Sequence, residues 1–440
     1  MRIYFPILLL IALINACGDN KQKSIGELEL KMNQIAEQYV KLVLEIGLYK
    51  PDYIDAYFGP VEWKPEQSSK KEIDSTLISL LNEKTDALLN DLESLKDYQA
   101  TDIETIRYRF LYKQLLSIKG MILIISGGLF SFDEEANILY DAEPPHFEAG
   151  HFQKIIDEIN NLLPGKGELA DRVNEFKNKF IIPKEKLDTV FNAAIKECRR
   201  RTLNHIKLPE DENLKIEYVT DKPWGAYNWY KGNSFSLIQV NTDLPIHIDR
   251  AIDLAAHEGY PGHHVFNALL EKNLVKDKSW VEFSVYPLYS PVSLIAEGTA
   301  NFGIQVAFPG NEQIEFEKKV LFPLAGLNPA EADLYYKILA LLNKLTFAGN
   351  EAARNYLDGK WTKEETINYL QKYMLFSKEK AVKRLAFIEQ YRSYVINYNL
   401  GKDIVKNYIE INGGADDNPE RRWELLEKLL SNPQTPSGLQ

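Results

Sequence analysis

The residues best suited to chemistry are concentrated in one short segment, His257–His264, which reads HEGYPGHH. It holds three of the seven histidines of the chain and places Glu258 directly beside the first of them. Imidazoles together with one carboxylate form the usual protein part of a catalytic zinc site, which leaves a further position for water. A glutamate that follows a zinc-binding histidine can take a proton from that water. With a carboxylate from Glu297 further along the chain, the segment predicts a zinc-dependent hydrolase.

The spacing of the histidines predicts a break in the helix that carries them. In the H-E-x-x-H pattern the two histidines are four residues apart, whereas here Pro261 stands at the second position. A straight helix would separate His257 and His264 by ~10.5 Å along its axis, too far for two Zn–N bonds of ~2.1 Å. Pro261 and Gly262 favour a bulge or break that turns the chain back. We expect His263 to be the second ligand, with His264 as the alternative.

Three acidic residues are candidates for roles around these histidines. Glu297 lies in the apolar stretch 292–304, where a carboxylate is costly unless it is paired or bound to a metal; we expect it to be the third ligand. Asp253 precedes His257 by four residues and shares its helix face. It either fixes the tautomer of His257 or is a solvated surface carboxylate. Asp249 is expected to begin the helix, where a carboxylate suits the helix dipole.

The segment Arg392–Tyr398 supplies further candidates. Tyr398 first, and Tyr394 second, are hypothesised to donate a hydrogen bond to the oxyanion formed when a scissile carbonyl is attacked; the alternative for both is a place in the core. Arg392 is hypothesised to bind a substrate carboxylate, against the alternative of a surface salt bridge. The predicted strand Leu237–Asn241 would offer backbone groups to an extended peptide, although most such strands are purely structural.

The N-terminal sequence predicts export and a lipid anchor. The apolar run 3–13 follows Arg2 and is shorter than the ~20 residues that span a bilayer, as expected of a signal peptide. A small residue followed by Cys17 resembles a bacterial lipobox, and that resemblance implies that residues 1–16 are removed and Cys17 is lipidated. Residues 17–24 would form a lipidated tether to a membrane surface of the bacterial cell envelope. Ordinary secretion is the alternative.

The composition of the chain excludes one class of binding partner and indicates how the fold is stabilised. Cys198 is the only other cysteine, so we expect no intramolecular disulfide after processing. A chain of 440 residues is long enough to bury a large core without one. The formal net charge of −11 argues against nucleic acid as a partner.

Hydrophobic periodicity predicts a mainly α fold with one small β-sheet. Apolar residues recur every three or four positions in most segments. Alternation predicts strands at Ile216–Val219 and Ser236–Val240, with an aromatic loop at Trp224–Tyr230 between them. The predicted helices are 28–46, 72–97, 102–126, 150–163, 184–206, a motif helix from about 248, then 292–307, 329–357, 362–374, 377–396, 402–411 and 417–431.

The motif also resembles a known signature. The segment His257–His264 resembles the H-E-x-x-P-G-H-H pattern of a large bacterial family, long of unknown function and rich in lipoproteins, which is similar to glutamate-zincin peptidases of the angiotensin-converting-enzyme and Taq-carboxypeptidase types. Glu297–Ala300 resembles the family's E-G-x-A element, which carries the third zinc ligand. The Gly-His pair of the shorter motif in those relatives matches Gly262 and His263, which favours His263 as the second ligand.

Two later segments extend the resemblance over roughly residues 30–412. Lys360–Glu365 resembles the family's x-W-T-x-E-x segment, and Tyr398–Gly401 is similar to its Y-K-x-G segment. The sequence departs from the family at Arg392–Tyr394, where P-G-Q is usual, and at Asn399, where Lys is common, which leaves the substrate class open.

The resemblance implies a two-lobed helical metallopeptidase-like fold with the small sheet beside a deep active-site cleft. We therefore predict an N-terminal helical lobe over 25–206, a zinc-binding catalytic lobe over 207–432 and a tail over 433–440. The lobe boundary falls where the helical pattern first gives way to predicted strands.

These features together predict a membrane-anchored zinc metallopeptidase that hydrolyses short peptides. His257, His263 and Glu297 would hold the zinc, and Glu258 would act as general base on its water. The same ligands also suit cobalt and other divalent ions. Two alternatives stay open: a non-catalytic lipoprotein that captures peptides, and a zinc amidase that acts on non-peptide or cell-wall amides. Glu258 favours an enzyme, because a binding protein has no need of a base.

Overall fold

A computed structural model describes residues 7–67, 72–96, 101–222 and 224–440, with side chains from residue 26 onward. Residues 1–6 and the side chains of residues 7–25, including Cys17, lie outside this description, so the signal peptide, the tether and lipidation of Cys17 stay predictions. None of the helices in the described ranges combines the length and apolar character that a membrane span requires.

The fold is mainly α-helical, as the periodicity predicts. The helices are α1 Ile7–Ile46, α2 Ser75–Glu93, α3 Asp102–Ile125, α4 Phe132–Tyr140, α5 Ala149–Leu162, α6 Leu169–Asn178, α7 Leu187–Leu203, α8 Asp249–Leu254, α9 His263–Leu270, α10 Pro291–Ala307, α11 Glu312–Phe316, α12 Phe322–Ala325, α13 Ala332–Lys344, α14 Thr346–Leu357, α15 Lys363–Met374, α16 Lys378–Tyr391, α17 Leu400–Ile411 and α18 Pro419–Ser431. Helices α8, α9 and α11 continue as π-helical turns over Ala255–Gly259, Glu271–Lys276 and Glu317–Leu321.

The helix predictions differ from the structure in several places, beginning with α1, which starts at Ile7 rather than at residue 28. The predicted helix 329–357 is divided at Leu345 into α13 and α14. The predicted helix 377–396 ends at Tyr391, and a 3-10 segment, Arg392–Asn397, follows it. Helices α4, α6, α11 and α12 were not predicted. In α6 only Val173 and Phe176 of its ten residues are buried, and two apolar positions give no recognisable period.

Two small sheets accompany the helices. Strands β2 (Asn213–Val219), β3 (Ala226–Tyr230) and β4 (Phe235–Asn241) form one sheet in the order β2-β4-β3, with β2 parallel and β3 antiparallel to β4. The predicted strands are therefore confirmed, but most of the predicted aromatic loop is strand β3. Its inward residues are Asn228 and Tyr230 and its outward residues include Tyr227 and Trp229, so burial does not alternate with hydrophobicity along it.

The central position of β4 corrects one prediction. Both edges of β4 are hydrogen-bonded to neighbouring strands, so Leu237–Asn241 has no free backbone groups to offer a peptide. The edge strands of this sheet are β2 and β3. The second sheet is an antiparallel pair, β1 (Ile54–Tyr57) and β5 (Val285–Pro287), which was not predicted because its strands are short and lie far apart in sequence.

The hydrophobic core joins elements from most of the chain. One cluster of buried residues takes in α1 to α4, α7 to α10, α17 and α18. A smaller cluster lies among α5, α6 and α13 to α15. The larger cluster draws residues from both sides of position 206, and the predicted division into lobes there stays a prediction.

Helix α10, which carries Glu297, lies at the centre of this core. All of its residues except Asn301 and Gln305 are buried. It packs closely on α17 at a glycine pair: a Cβ placed on Gly298 would lie 2.4 Å from the carbonyl oxygen of Gly401. These two glycines are therefore required by the distance between the helix backbones, which fixes α10 and the side chains it presents.

This packing predicts that Gly298→Ala destabilises the protein. The added methyl group meets backbone rather than a flexible side chain, so we expect the free energy of unfolding to fall by ~1–3 kcal/mol. Gly150→Ala in α5 is the matched control, because a Cβ there meets nothing within 4 Å, and it should raise stability by ~0.5–1 kcal/mol. Thermal unfolding of both variants beside the parent measures the effect; equal midpoints for Gly298→Ala and the parent would contradict the account.

Candidate metal centre

The motif segment does not form a straight helix. After α8 the chain widens into the π-helical turn Ala255–Gly259, and the amide of Tyr260 donates to the carbonyl of Ala255 at 3.0 Å. Tyr260 is then extended, the Tyr260–Pro261 peptide bond is cis, and α9 begins at His263. The predicted break at Pro261 and Gly262 is thus present, and a new helix carries the second and third histidines.

Gly262 is the residue that permits this turn. Its amide donates to the carbonyl of Ala256 at 2.9 Å, which draws the backbone of residue 262 against the preceding turn. A Cβ at this position would lie 1.9 Å from the carbonyl oxygen of His257, so any other residue would collide with backbone. The close approach brings the start of α9, with His263, back to His257.

Three side chains converge at this point. The Nε2 atoms of His257 and His263 are 3.1 Å apart, and their rings are nearly perpendicular. The Glu297 carboxylate approaches both: its Oε2 lies 3.4 Å from Nε2 of His257, and its Oε1 lies 3.7 Å from Nε2 of His263. These are the distances expected of zinc ligands, because tetrahedral bonds of ~2.1 Å separate neighbouring donor atoms by ~3.4 Å.

Burial and hydrogen bonding support the same interpretation. Glu297 is 6% exposed, and its Oε2 has no hydrogen-bond partner among the described residues. Leaving a buried carboxylate oxygen unpaired is costly unless a cation lies beside it. Two imidazoles and one carboxylate form the donor set of a catalytic zinc site with an open position. The residues present therefore fit a zinc ion.

Burial and the neighbouring carboxylates shift the pKa values of the two histidines in opposite directions. Burial lowers the pKa of both imidazoles, and at His263 it lowers the value to about 4. At His257 the carboxylates of Glu297 and Glu258 outweigh burial and raise the pKa to about 9. The histidines thus compete for one positive charge in a site with two acids, an environment that attracts a cation.

Glu258 stands beside the cluster with its carboxylate unengaged. The turn that carries it is held by Asn228 of β3, whose side-chain amide donates to the backbone carbonyl of Glu258 at 2.6 Å. The residue is 6% exposed, and no hydrogen bond to its carboxylate is formed by the described residues. Burial raises the pKa of Glu258 to about 7, which suits a group that accepts and returns a proton near neutral pH.

His264 lies in the core rather than in the cluster. Its side chain is fully buried, with Nδ1 2.8 Å from the Ser236 hydroxyl and Nε2 2.9 Å from the Glu212 carboxylate. Glu212 also accepts hydrogen bonds from Tyr260 and Arg199. The structure therefore brings His263, not His264, to His257, which agrees with the predicted preference.

This network ties the motif to α7 and to the sheet. Arg199 lies on α7 and Ser236 lies on β4, so His264 and Tyr260 connect three elements through one carboxylate. Sequence reasoning missed Glu212, Arg199 and Asn228. No local signal identifies them, because each is one polar residue in a segment distant from the motif.

The two candidate tyrosines take different positions. The phenol of Tyr394 is buried and donates to Oε1 of Glu297 at 2.9 Å, so this residue holds the carboxylate in place. Tyr398 packs edge-on against Tyr394, with ring centroids 5.7 Å apart, and is 37% exposed. Partial burial and the nearby Glu297 and Glu258 carboxylates raise its pKa, so the phenol stays protonated and can donate.

Arg392 takes the predicted alternative, a salt bridge. Its Nε donates to Glu135 of α4 at 2.6 Å, and the backbone and hydroxyl of Ser393 donate to the same carboxylate. The proposed bond from Arg392 to a substrate carboxylate is therefore not supported, because the guanidinium already has a buried acidic partner.

A different cation, Arg384 of α16, has no such partner. It forms no ion pair with any described residue, and its buried Nε lacks a hydrogen-bond partner among them. The guanidinium lies over the ring of Phe387 at 5.1 Å, and that ring is 6.4 Å from the ring of Tyr398. No sequence pattern distinguishes Arg384 from the other basic residues of α16.

The two aspartates of α8 have partners of their own. Asp253 is paired with Arg250, one turn earlier on the same helix, and about a third of its side chain is exposed. It acts on His257 only as a nearby charge, which favours the alternative of a surface carboxylate. Asp249 begins α8, as predicted, and accepts a hydrogen bond from Tyr335.

The fold and the centre thus describe a mainly helical protein with a buried His-His-Glu cluster. Its fold is shared with a protein from Colwellia psychrerythraea described as a "putative lipoprotein": TM-score 0.51, 16% sequence identity, 82% of this chain and 72% of that chain covered. A carboxypeptidase of the M32 group from Deinococcus radiodurans R1 aligns over 94% of this chain and 97% of its own, with a TM-score of 0.47 and 11% identity.

A protein of unknown function from Shewanella oneidensis, also described as a "putative lipoprotein", aligns over 82% of this chain and 72% of its own with a TM-score of 0.39 and 14% identity. No protein-family model and no curated protein matches the chain by sequence. The likeness to the Colwellia protein is one of fold, and the lower scores support no further argument.

The centre predicts that the two neighbouring histidines behave oppositely when they are replaced. His263→Ala removes a donor atom and should lower zinc affinity more than ~100-fold, beyond the usual effect of a residue that only orients a ligand. His264→Gln should retain zinc and lower the unfolding temperature, because it removes a buried partner of Glu212. Elemental analysis and metal titration of both variants measure this. Zinc loss in His264→Gln, with zinc retained in His263→Ala, would show that His264 and not His263 is the ligand.

Proposed function

We propose that this protein is a zinc-dependent peptidase that hydrolyses short peptides at the bacterial cell envelope. The observation that carries the proposal is the convergence of His257, His263 and Glu297 beside a buried, unengaged Glu258. A site that only bound a ligand would have no use for a second carboxylate that is unpartnered and has a pKa of about 7. The N-terminal lipobox resemblance and the lipoprotein description of the Colwellia protein support the location.

Each side chain of the centre has a role in this proposal. His257, His263 and Glu297 would hold the zinc, which supplies a Lewis acid and lowers the pKa of water. Glu258 accepts a proton from the attacking water and delivers it to the nitrogen of the leaving amine, so that it ends the cycle unchanged. Tyr394 keeps the Glu297 carboxylate oriented through its 2.9 Å hydrogen bond.

Tyr398 is suited to stabilise the oxyanion. It is the exposed member of the tyrosine pair and has no carboxylate partner of its own, whereas the Tyr394 phenol is already bonded to Glu297. A protonated phenol held beside the site donates to the oxygen on which negative charge develops. The predicted order of the two candidates, Tyr398 before Tyr394, is therefore kept.

Two features suit a peptide as the substrate. Strand β3 is one of the two edge strands of its sheet and is held to the motif through Asn228, so its free backbone groups can pair with an extended chain. The unpaired guanidinium of Arg384, next to the aromatic pair Phe387 and Tyr398, can receive a carboxylate in bidentate fashion. It replaces Arg392 in the role first given to that residue.

A substrate screen distinguishes the proposal from its rivals. The full-length protein would be assayed with dipeptides, end-blocked peptides and muropeptides, with and without a chelator. Hydrolysis of simple peptides that the chelator stops supports a peptidase. Hydrolysis of muropeptides alone would instead indicate an amidase of the cell wall, and tight binding without hydrolysis would indicate a peptide-capturing lipoprotein.

The base assignment predicts that Glu258→Gln retains zinc and loses hydrolysis. Because the amide cannot accept the proton of the attacking water, kcat should fall ~10²–10⁴-fold. Metal content by elemental analysis is the control, since Glu258 is not a ligand in this proposal. A variant that cleaved peptides at the parent rate would exclude Glu258 as the base.

The oxyanion assignment predicts that Tyr398→Phe lowers kcat ~10²–10³-fold, as expected for the loss of one hydrogen-bond donor to the oxyanion. Metal content should not change, because the Tyr398 phenol does not touch a ligand. Steady-state kinetics with one peptide measure the effect. An unchanged kcat would show that Tyr398 has only a packing role.

A further inference from the structure

Asp55 of β1 occupies an irregular position next to the proposed centre. In the pairing of β1 with β5, Ile54 is opposite Pro287 and Ala56 is opposite Tyr286, so Asp55 is an extra residue without a partner. Such bulges redirect a side chain and are frequent beside active sites. The bulge thus directs a carboxylate out of the regular ladder of the sheet.

The contacts of Asp55 leave it without a compensating cation. The Tyr227 phenol of β3 donates to its Oδ1, and no lysine or arginine among the described residues forms an ion pair with it. The next residue of β3, Asn228, binds the backbone of Glu258. Asp55 is therefore connected through two consecutive residues of the edge strand to the turn that carries the base.

Asp55 shares its surroundings with the other acids of the site. Burial raises its pKa to about 7 against the effect of the Tyr227 hydrogen bond, and the Glu297 carboxylate raises it further. The charge of Asp55 in turn acts on Glu258. Glu258 is itself buried and its carboxylate is unengaged, so Asp55 and Glu258 are two neighbouring acids with no lysine or arginine partner among the described residues.

We infer that Asp55 is a specificity residue that binds the free amino terminus of the substrate peptide. An ammonium group offers three N–H donors to the free oxygen of Asp55 and relieves the repulsion between the acids. Tyr227 orients the carboxylate and leaves one oxygen available. The inference rests on the proposed peptidase function and adds that the scissile bond lies near the N-terminus of a short, unblocked peptide.

The test compares one short peptide with a free amino terminus and the same peptide N-acetylated. With the zinc-loaded full-length protein, acetylation should lower kcat/KM ~10–100-fold, the effect of losing charge-assisted hydrogen bonds. Asp55→Asn, which keeps the shape of the side chain, should reduce kcat/KM for the free peptide by the same factor. It should lower the value for the acetylated peptide much less, so that the two peptides become nearly equal substrates.

The matched control is Asp157→Asn, which removes the same charge from the exposed face of α5 and should keep the full discrimination. Equal kcat/KM for the free and acetylated peptides with the parent protein would overturn the inference, and so would undiminished discrimination in Asp55→Asn. Because equal kcat/KM values on the parent protein would overturn the inference, it can be tested even if the Asp55→Asn variant fails to fold.

A binding measurement separates failure of this inference from failure of the proposed function. In the Glu258→Gln background, calorimetry should show the free peptide binding ~10–100-fold more tightly than the acetylated peptide, and Asp55→Asn should abolish the difference. If the parent hydrolyses neither peptide but the difference in binding is present, the peptidase proposal fails and amine recognition stands. If both peptides bind equally, amine recognition fails.

Discussion

The proposed chemistry depends on one close contact of backbone with backbone. Residue 262 passes so near the carbonyl of His257 that only glycine fits there, and this approach turns α9 back so that His263 meets His257. Without it the two imidazoles would lie on separate turns of a helix, and no ion could bind both. The wide π-helical turn before it supplies the extra residue that this path requires.

A second requirement is the position of Glu297. This carboxylate comes from a helix at the centre of the core, and its place is fixed by the glycine contact between α10 and α17 and by the hydrogen bond from Tyr394. Because burying a carboxylate is costly unless it is paired or bound to a metal, the position of Glu297 favours binding of a cation at this site. The neighbouring acids Glu258 and Asp55 add negative charge to the site, which is the basis of the amine recognition proposed above.

The network around His264 explains why two adjacent histidines have different roles. His263 opens α9 and faces the cluster, whereas the next side chain points the opposite way, into the contact with Glu212 and Ser236. The first would bind metal, and the second secures the motif to α7 and β4. The proposed metal ligand and the residue that anchors the motif are thus consecutive in the sequence.

The sequence by itself determined the mainly helical fold, the strands β2 and β4, and the set His257, Glu258 and Glu297, because these leave local signals of periodicity, alternation and residue type. It also required a break at Pro261 and Gly262, since the spacing excludes a straight helix. Only the tertiary structure placed His263 rather than His264 beside His257, paired Arg392 with Glu135 and His264 with Glu212, and brought Asp55 and Arg384 near the site. These depend on contacts between segments far apart in the chain, whose partners are chosen by packing and not by any pattern in their own neighbourhood.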